Sequence, residues 1–286
     1  MDDRNHQIGD KPRKQTEELN VGRNEGRDAS RKADRNVDRD SDKGKETGSP
    51  SRMSWNGPHA DGYEHSISRK IPGYEQLYEQ MDRLLAAILE EQGETSPPRL
   101  LVVGAGGGQE LVTLGTRHPE WRLTGIDPSA PMREMAQRRI AVHGLAGRIS
   151  LLPGTVDHLP ASDPYDAVTC MLVLHFVQGN QEKLALLKSI SEKLKPGMPL
   201  FLASINGVAD SPPFALQMKA WKRHMLDNGI PLEDWERFEA SIGVETDPVD
   251  SVELEELLLE AGFEQLSRFF GSFLIEGYFA LKRVEP

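Results

Sequence analysis

The stretch Leu100-Leu101-Val102-Val103-Gly104-Ala105-Gly106-Gly107-Gly108 constrains the fold of this chain more than any other. A short apolar run that breaks into glycines reads as a buried parallel strand turning tightly into a helix. Such a turn calls for glycine because the backbone takes positive φ and a ligand approaches where a Cβ would collide. A second strand-like run, Trp121 to Ile126, ends in Asp127, nineteen residues after Gly108. A carboxylate there stands at the tip of the neighbouring strand, placed to accept hydrogen bonds from both hydroxyls of a ribose. Together the two features predict a bound nucleoside. The plainer alternative is an ordinary strand–helix turn followed by an aspartate that caps the next helix.

The glycine spacing narrows the ligand. A dinucleotide fingerprint, G-x-G-x-x-G, requires glycine at position 109, where this chain has Gln109. The spacing present is Gly104-x-Gly106-x-Gly108. A pyrophosphate binder uses its third glycine to bring the helix N-terminus against phosphate, whereas a phosphate-free ligand needs only close approach of the backbone. A nicotinamide-dependent oxidoreductase is therefore disfavoured.

Residues 1–52 hold almost no large apolar side chains, with 13 Lys and Arg against 12 Asp and Glu. Such a polyampholyte cannot bury enough apolar surface to offset its ordering entropy, so this segment reads as a disordered polar tail. The remaining 234 residues carry 21 basic and 33 acidic side chains, long enough for one well-buried core with an elaboration. This acidity argues against a broad nucleic-acid footprint, which needs clustered Lys and Arg. The single cysteine, Cys170, excludes an intramolecular disulfide and fits a reducing compartment. No apolar run approaches the roughly 18 residues needed to span a bilayer, and no apolar leader opens the chain, so the expected location is cytoplasmic.

Beyond the tail, Leu77, Met81, Leu84, Leu85, Ile88 and Leu89 share one face of a helix expected over 72–92. Strands and helices then alternate: strand 100–103, helix 109–117, strand 122–126, a helix from about Ser129, strand 149–152, strand 167–174, helix 181–194 and strand 199–203. This rhythm calls for a parallel sheet with helices on both faces. Residues 206–250, anchored by Trp221, Met225, Trp235 and Phe238, interrupt it as a helical insertion expected to cover the carboxyl ends of the strands. A helix over 252–261 precedes two strands, 263–269 and 273–281, joined at Gly271-Ser272 in an antiparallel hairpin.

From about Trp55 to Arg283 the chain resembles the class I S-adenosylmethionine (SAM)-dependent methyltransferases. The elements appear in order: the glycine loop Gly104–Gly108, the acidic Asp127, Gly154-Thr155-Val156-Asp157 after the third strand, Tyr165-Asp166-Ala167-Val168 opening the fourth, and Leu194-Lys195-Pro196-Gly197 before the fifth. Three passages, Ile71-Pro72-Gly73-Tyr74, Leu174-His175-Phe176 and Ser251-Val252-Glu253 running to Ala261-Gly262-Phe263, look like the small-molecule branch that includes carboxy-SAM synthase. The resemblance implies a Rossmann-like, doubly wound α/β fold whose seven-stranded sheet has its last strand antiparallel. It also implies an N-terminal helical cap over 53–98, a lid over 206–250, SAM as cofactor and a small-molecule acceptor with a nitrogen or oxygen nucleophile.

By the same resemblance, Tyr74 contacts the cofactor from the N-terminal helix. Gly104, Ala105, Gly106 and Gly108 form the loop along its methionine part, Asp127 and Pro128 meet its ribose, Thr155 and Val156 flank its adenine, and Met171 lies beside its sulfonium. Carboxy-SAM synthase has Asn where this chain has Met171, and its carboxylate-holding arginine has only Arg237 as a distant counterpart here. Ordinary methyl transfer is therefore preferred to carboxy-SAM formation as part of tRNA wobble-uridine modification.

Among the candidate groups, His175 is the best placed general base, with an ordinary pKa near 6.5; packing at the strand end is its competing role. Cys170, in an apolar strand, reads as core. Trp221, Trp235 and Phe238 either face substrate or pack the insertion. His59 and His65, with Asp61 and Glu64, lack a supporting helix, and no metal site is assigned.

Overall fold

In the computed structural model of the protein, which describes residues 66–93, 96–159 and 163–284, the apolar run becomes a strand at the centre of a sheet. This is β1 (Arg99–Val103), flanked by β2 (Arg122–Asp127) and β4 (Ala167–Met171), both parallel to it. Strand β3 (Ile149–Pro153) pairs with β2, and β5 (Pro199–Ile205) with β4. The hairpin of β6 (Phe263–Ser272) and β7 (Ile275–Lys282) completes seven strands in the order β3-β2-β1-β4-β5-β7-β6. Only β7 runs against its neighbours, which is the topology the resemblance implies. The 1–52 tail and the His59 and His65 pair lie outside the described residues.

The helices follow the expected rhythm. They are α1 (Tyr74–Glu91), α2 (Gln109–Arg117), α3 (Ala130–Val142), α4 (Asn180–Lys193), α5 (Pro212–Asp227), α6 (Leu232–Ser241) and α7 (Ser251–Glu260). Alternate strand residues serve opposite faces. Leu100, Val102, Phe201, Ala203 and Ile205 join one core, with Leu77, Met81 and Leu85 of α1 and Met218, Trp221 and Trp235 of the insertion. Leu101, Val103, Leu200 and Leu202 join the other, with Leu187 and Ile190 of α4 and Leu254 and Leu258 of α7. This is the near-continuous apolar patterning of parallel strands covered on both sides. Each such leucine contributes about 1.5–3 kcal/mol by leaving water.

Among the boundaries that differ from the sequence reading, three have a clear local cause. Helix α1 starts at Tyr74 rather than Pro72, because Gly73 caps it in the left-handed region (φ 72°). Strand β4 stops at Met171 rather than Leu174. Leu172 turns the chain with φ 61° while its amide donates to the Ala203 carbonyl at 2.7 Å, and a 3₁₀ turn, Leu174–Phe176, follows. The hairpin turns at Phe273-Leu274, two residues later than Gly271-Ser272 suggested: Leu274 is buried and its carbonyl accepts from the Asn206 amide at 2.6 Å.

Polar links pin the helices. Asp82 of α1, buried, accepts from Arg117 Nη1 at 2.8 Å and meets His118 Nε2 at 2.7 Å. Lys183 of α4, wholly buried, donates to the Val177 carbonyl at 2.7 Å and to Asp247 Oδ2 at 2.6 Å, tying the end of the insertion to the start of α4. The insertion packs against the N-terminal segment, where Trp221 Nε1 donates to the Lys70 carbonyl at 2.7 Å and Lys70 pairs with Asp234 at 2.9 Å. Phe238 meets Trp221 in a tilted ring pair and Trp235 edge-on, so the three fill the helical core. No helix among the described residues is long and apolar enough to cross a membrane.

Candidate functional site

Strand pairing sets the site. Val103 lies beside Ile126, so the glycine loop leaves β1 at the level where Asp127 closes β2. The loop is clamped there, since the Ala105 amide donates to the Ile126 carbonyl at 3.0 Å and the Gly106 amide to Asp127 Oδ2 at 2.8 Å. The other oxygen of Asp127 accepts from the Ser129 amide at 2.8 Å. Burial raises the Asp127 carboxyl, opposed by these two amides and by Arg133, whose guanidinium also donates to the Asp127 carbonyl at 2.8 Å. A carboxylate has about four acceptor positions, so two remain for ligand hydroxyls.

The glycines divide by role. A Cβ on Gly104 would fall 2.4 Å from Val173 Cγ2, one on Gly107 2.7 Å from Met135 Sδ, and one on Gly108 2.7 Å from the Ala136 Cβ. Those three are bare because protein packs against them. Gly106 (φ 52°) differs: a Cβ there would meet nothing nearer than the Gly104 carbonyl at 3.8 Å, and the space it would enter is the site. The amides of Ala105, Gly106 and Gly108 are all satisfied within the protein, which is the wrong arrangement for cradling a pyrophosphate.

A cavity of about 500 Å³ opens over these strand ends. One end is walled by Asp127, Pro128, Ser129 and, from α3, Met132, Met135 and Arg139; the floor is Gly104–Gly107 with Gln109 and Glu110. The other end is Met171, Leu172, Val173 and Phe176, with Ile67, Ser68, Tyr74, Glu75 and Tyr78 above. The cavity is therefore elongated, polar at the β2 tip and largely apolar and aromatic at the β4 tip. It has the form of a site for a nucleoside with a tail. Arg139 donates to Gln109 Oε1 at 3.2 Å, so the side chain at the missing third-glycine position is held inside the protein's own network.

Of the sequence-predicted site residues, Tyr74, Gly104, Ala105, Gly106, Asp127, Pro128 and Met171 come together in this wall. The others do not. Gly108 is the N-cap of α2, pressed on Ala136. Thr155 is turned to solvent, bonded to Asp157 and to His158 Nδ1, and Val156 is buried within a 3₁₀ turn. His175 is buried beneath the site: its Nδ1 accepts from the Ile205 amide at 3.3 Å, its ring packs on Phe176, and burial pushes its pKa down to about 3. A ring so held is neutral at ordinary pH and lies outside the cavity wall. Arg237 binds Asp234 on α6, also away from the cavity. The insertion contributes no residue to the wall, which the N-terminal segment covers instead. Cys170 is buried in β4, its thiol pushed up to about 12 by burial and by Glu110.

Sequence reasoning missed Glu110, Met132, Met135 and Arg139. The two methionines carried a legible signal, a three-residue spacing on one face of the helix after Asp127. Glu110 carried another, as a carboxylate directly after the glycine loop and ahead of Leu111, Val112 and Leu114. Among the described residues, no cluster of His, Cys, Asp and Glu is arranged to hold a metal ion.

Comparison with known proteins agrees with this geometry. Residues 100–197 match the family described as a methyltransferase domain. An uncharacterized methyltransferase of Oceanobacillus iheyensis is 28% identical over 144 residues, 49% of this chain and 60% of the relative. A ubiquinone biosynthesis O-methyltransferase of Marinobacter nauticus is 28% identical over 157 residues, 52% of this chain and 61% of that one. The chain thus spans about three-fifths of the length of such relatives. Among solved structures, magnesium protoporphyrin IX methyltransferase from Synechocystis PCC 6803, with bound S-adenosylhomocysteine (SAH), superposes with a TM-score of 0.58. It is 16% identical, and the match covers 81% of this chain and 97% of that one.

Proposed function

We propose that this chain, whose residues 100–197 match the methyltransferase-domain family, is a class I SAM-dependent methyltransferase that moves a methyl group from SAM to a small-molecule acceptor bearing a nitrogen or oxygen nucleophile. The observation that carries this reading is the shared wall of Gly106, Asp127 and Met171. One cavity holds a ribose-binding carboxylate at one end and an apolar strand tip at the other. The match to Methyltransferase-domain proteins and the curated methyltransferase relatives support the same reading.

The residues fit the cofactor. Gly106 leaves the floor open, Asp127 keeps acceptor positions for two hydroxyls, and the methionines of α3 offer an apolar flank. When bound, the cofactor supplies a methyl group on a sulfonium, an excellent leaving group. What remains for the protein is orientation and exclusion of water. Met171, Leu172, Val173 and Phe176, with Tyr74 and Tyr78 in the same wall, make an apolar and aromatic end suited to holding an acceptor in line. Such positioning is worth roughly 7–11 kcal/mol of barrier. A neutral amine attacks through its free lone pair and gives up its proton to solvent after transfer, whereas a hydroxyl acceptor must pass its proton to a base or to water as the new bond to carbon forms. Burial pushes the Tyr74 hydroxyl up to about 12, so it acts here as a hydrogen-bonding group and not as a base.

Calorimetric titration with SAM, SAH and NAD tests the reading. We expect binding of the first two and none of NAD. Binding of NAD alone would replace the methyltransferase reading with that of an oxidoreductase. Screening a metabolite set for SAH release then identifies the acceptor.

A further inference from the structure

Glu110 stands in the first turn of α2, immediately behind the glycine loop, is largely buried, and forms part of the cavity floor. Its Oε1 accepts from Thr169 Oγ1, in the middle of β4, at 2.5 Å. Thr169 pairs with Val102 on β1 and with Phe201 on β5, so the carboxyl is anchored at the centre of the sheet and not at its rim. No cation pairs with it among the described residues. The groups that face it are Tyr74 from α1 and Cys170 and Thr169 from β4. The remaining charged groups of the wall are Glu75, which is exposed, Asp127 at the β2 tip and Arg139, which engages Gln109.

A buried carboxylate without a counter-charge is costly. The first turn of α2 suits an acid in water, but this one is turned inward beside the core residues Leu111, Val112 and Leu114. Burial raises the Glu110 carboxyl to about 7 even though the Thr169 bond works in the opposite direction. The site therefore holds an acid poised to ionise when a positive charge arrives.

We infer that Glu110, fixed by Thr169 behind the glycine loop, is the anionic anchor for the α-ammonium group of the cofactor's methionine tail. This rests on the cofactor reading above. It divides the work between two carboxyls: Asp127 takes the hydroxyls at the β2 end, and Glu110 takes the cation between β1 and β4. Binding moves a proton from the Glu110 carboxyl to solvent as the ammonium takes its place. Glu110 is thus a binding residue for the proposed cofactor and takes no part in the transfer of the methyl group itself.

The test compares two ligands on two proteins. SAH carries the ammonium, and its deamino analogue has hydrogen in that place. Wild type should bind SAH more tightly than the analogue, and Glu110→Gln should weaken SAH by roughly 10- to 100-fold, the worth of one charge-assisted bond. The same variant should leave the analogue unchanged, which also shows that its pocket is folded. In wild type, the heat of SAH binding at pH 6.5 should vary with the buffer's ionisation enthalpy in the sense of proton release, and this dependence should vanish in Glu110→Gln. Unchanged SAH affinity in the variant overturns the inference, as does equal loss of both ligands or the absence of proton release in wild type. A wild type that binds neither nucleoside removes the cofactor reading itself, and the inference with it.

Discussion

The amide of Gly106 donates to Oδ2 of Asp127 at 2.8 Å, so the glycine loop and the neighbouring strand tip are one hydrogen-bonded unit. Substitution at 127 therefore acts on both folding and binding. Asp127→Ala leaves the Gly106 and Ser129 amides without their acceptors, which should cost about 1–3 kcal/mol of stability. It should also weaken SAH at least 10-fold, read by calorimetry beside a urea melt. Asp127→Asn, which keeps one oxygen, should fall between. An alanine variant with wild-type affinity would show that the ribose lies elsewhere.

Gly104 and Val173 form a second pair across the loop. Gly104→Ala puts a Cβ 2.4 Å from Val173 Cγ2 in a backbone with φ 67°. The left-handed conformation alone costs about 1–2 kcal/mol, and the overlap adds to it. The double variant Gly104→Ala with Val173→Ala should recover the overlap but not the conformational part. Chemical denaturation of all four proteins measures the coupling, and strictly additive losses would contradict it.

The Lys183–Asp247 pair predicts an asymmetry. Lys183 is fully buried whereas the Asp247 side chain is 33% exposed. Removing Lys183 as Lys183→Met leaves an acceptor that water reaches, at a cost of about 1.5–3 kcal/mol. Asp247→Ala instead strands a buried ammonium, and the cost should rise to about 3–5 kcal/mol. Urea midpoints that rank the two variants the other way would refute this ordering.

Two buried groups give the ligand-free protein opposing pH responses. His175 titrates near 6.5 when unfolded and at about 3 when folded, so its contribution is whole above 6.5 and is lost as the pH falls from there toward 3. Glu110 runs the other way: its folded value of about 7 lies above its unfolded one, so its contribution is whole below about 4.5 and is lost as pH rises through 7. Between pH 4.5 and 6.5 the two trends oppose each other, so stability across that range should fall with pH in His175→Phe, which leaves only Glu110, and rise with pH in Glu110→Gln, which leaves only His175. Unaltered slopes would place both groups in water.

The strand tips were legible because they obey local rules. An apolar run ending in glycine at 104, and another ending in Asp127, state their geometry within a few residues, and the order of helices and strands follows from periodicity. What depended on contacts distant in sequence was not legible. The hairpin turn moved to Phe273 because Asn206, far earlier in the chain, bonds Leu274. The strand after Ala167 stopped at Met171 because Leu172 is held by Ala203. His175 left the site for a similar reason, since the strand whose end it was expected to follow had already stopped at Met171 and the ring turned to the Ile205 amide. Glu110 was overlooked because it looked like any acidic residue in a helix's first turn. Only Thr169, fifty-nine positions later, draws it inward.

The insertion touches no part of the cavity, yet Trp221 holds the Lys70 carbonyl, three residues past Ile67 in the cavity roof. Helices that never line the cavity thus help to set the height of its roof from a distance, so a change within them can reach the site without altering any residue of its wall.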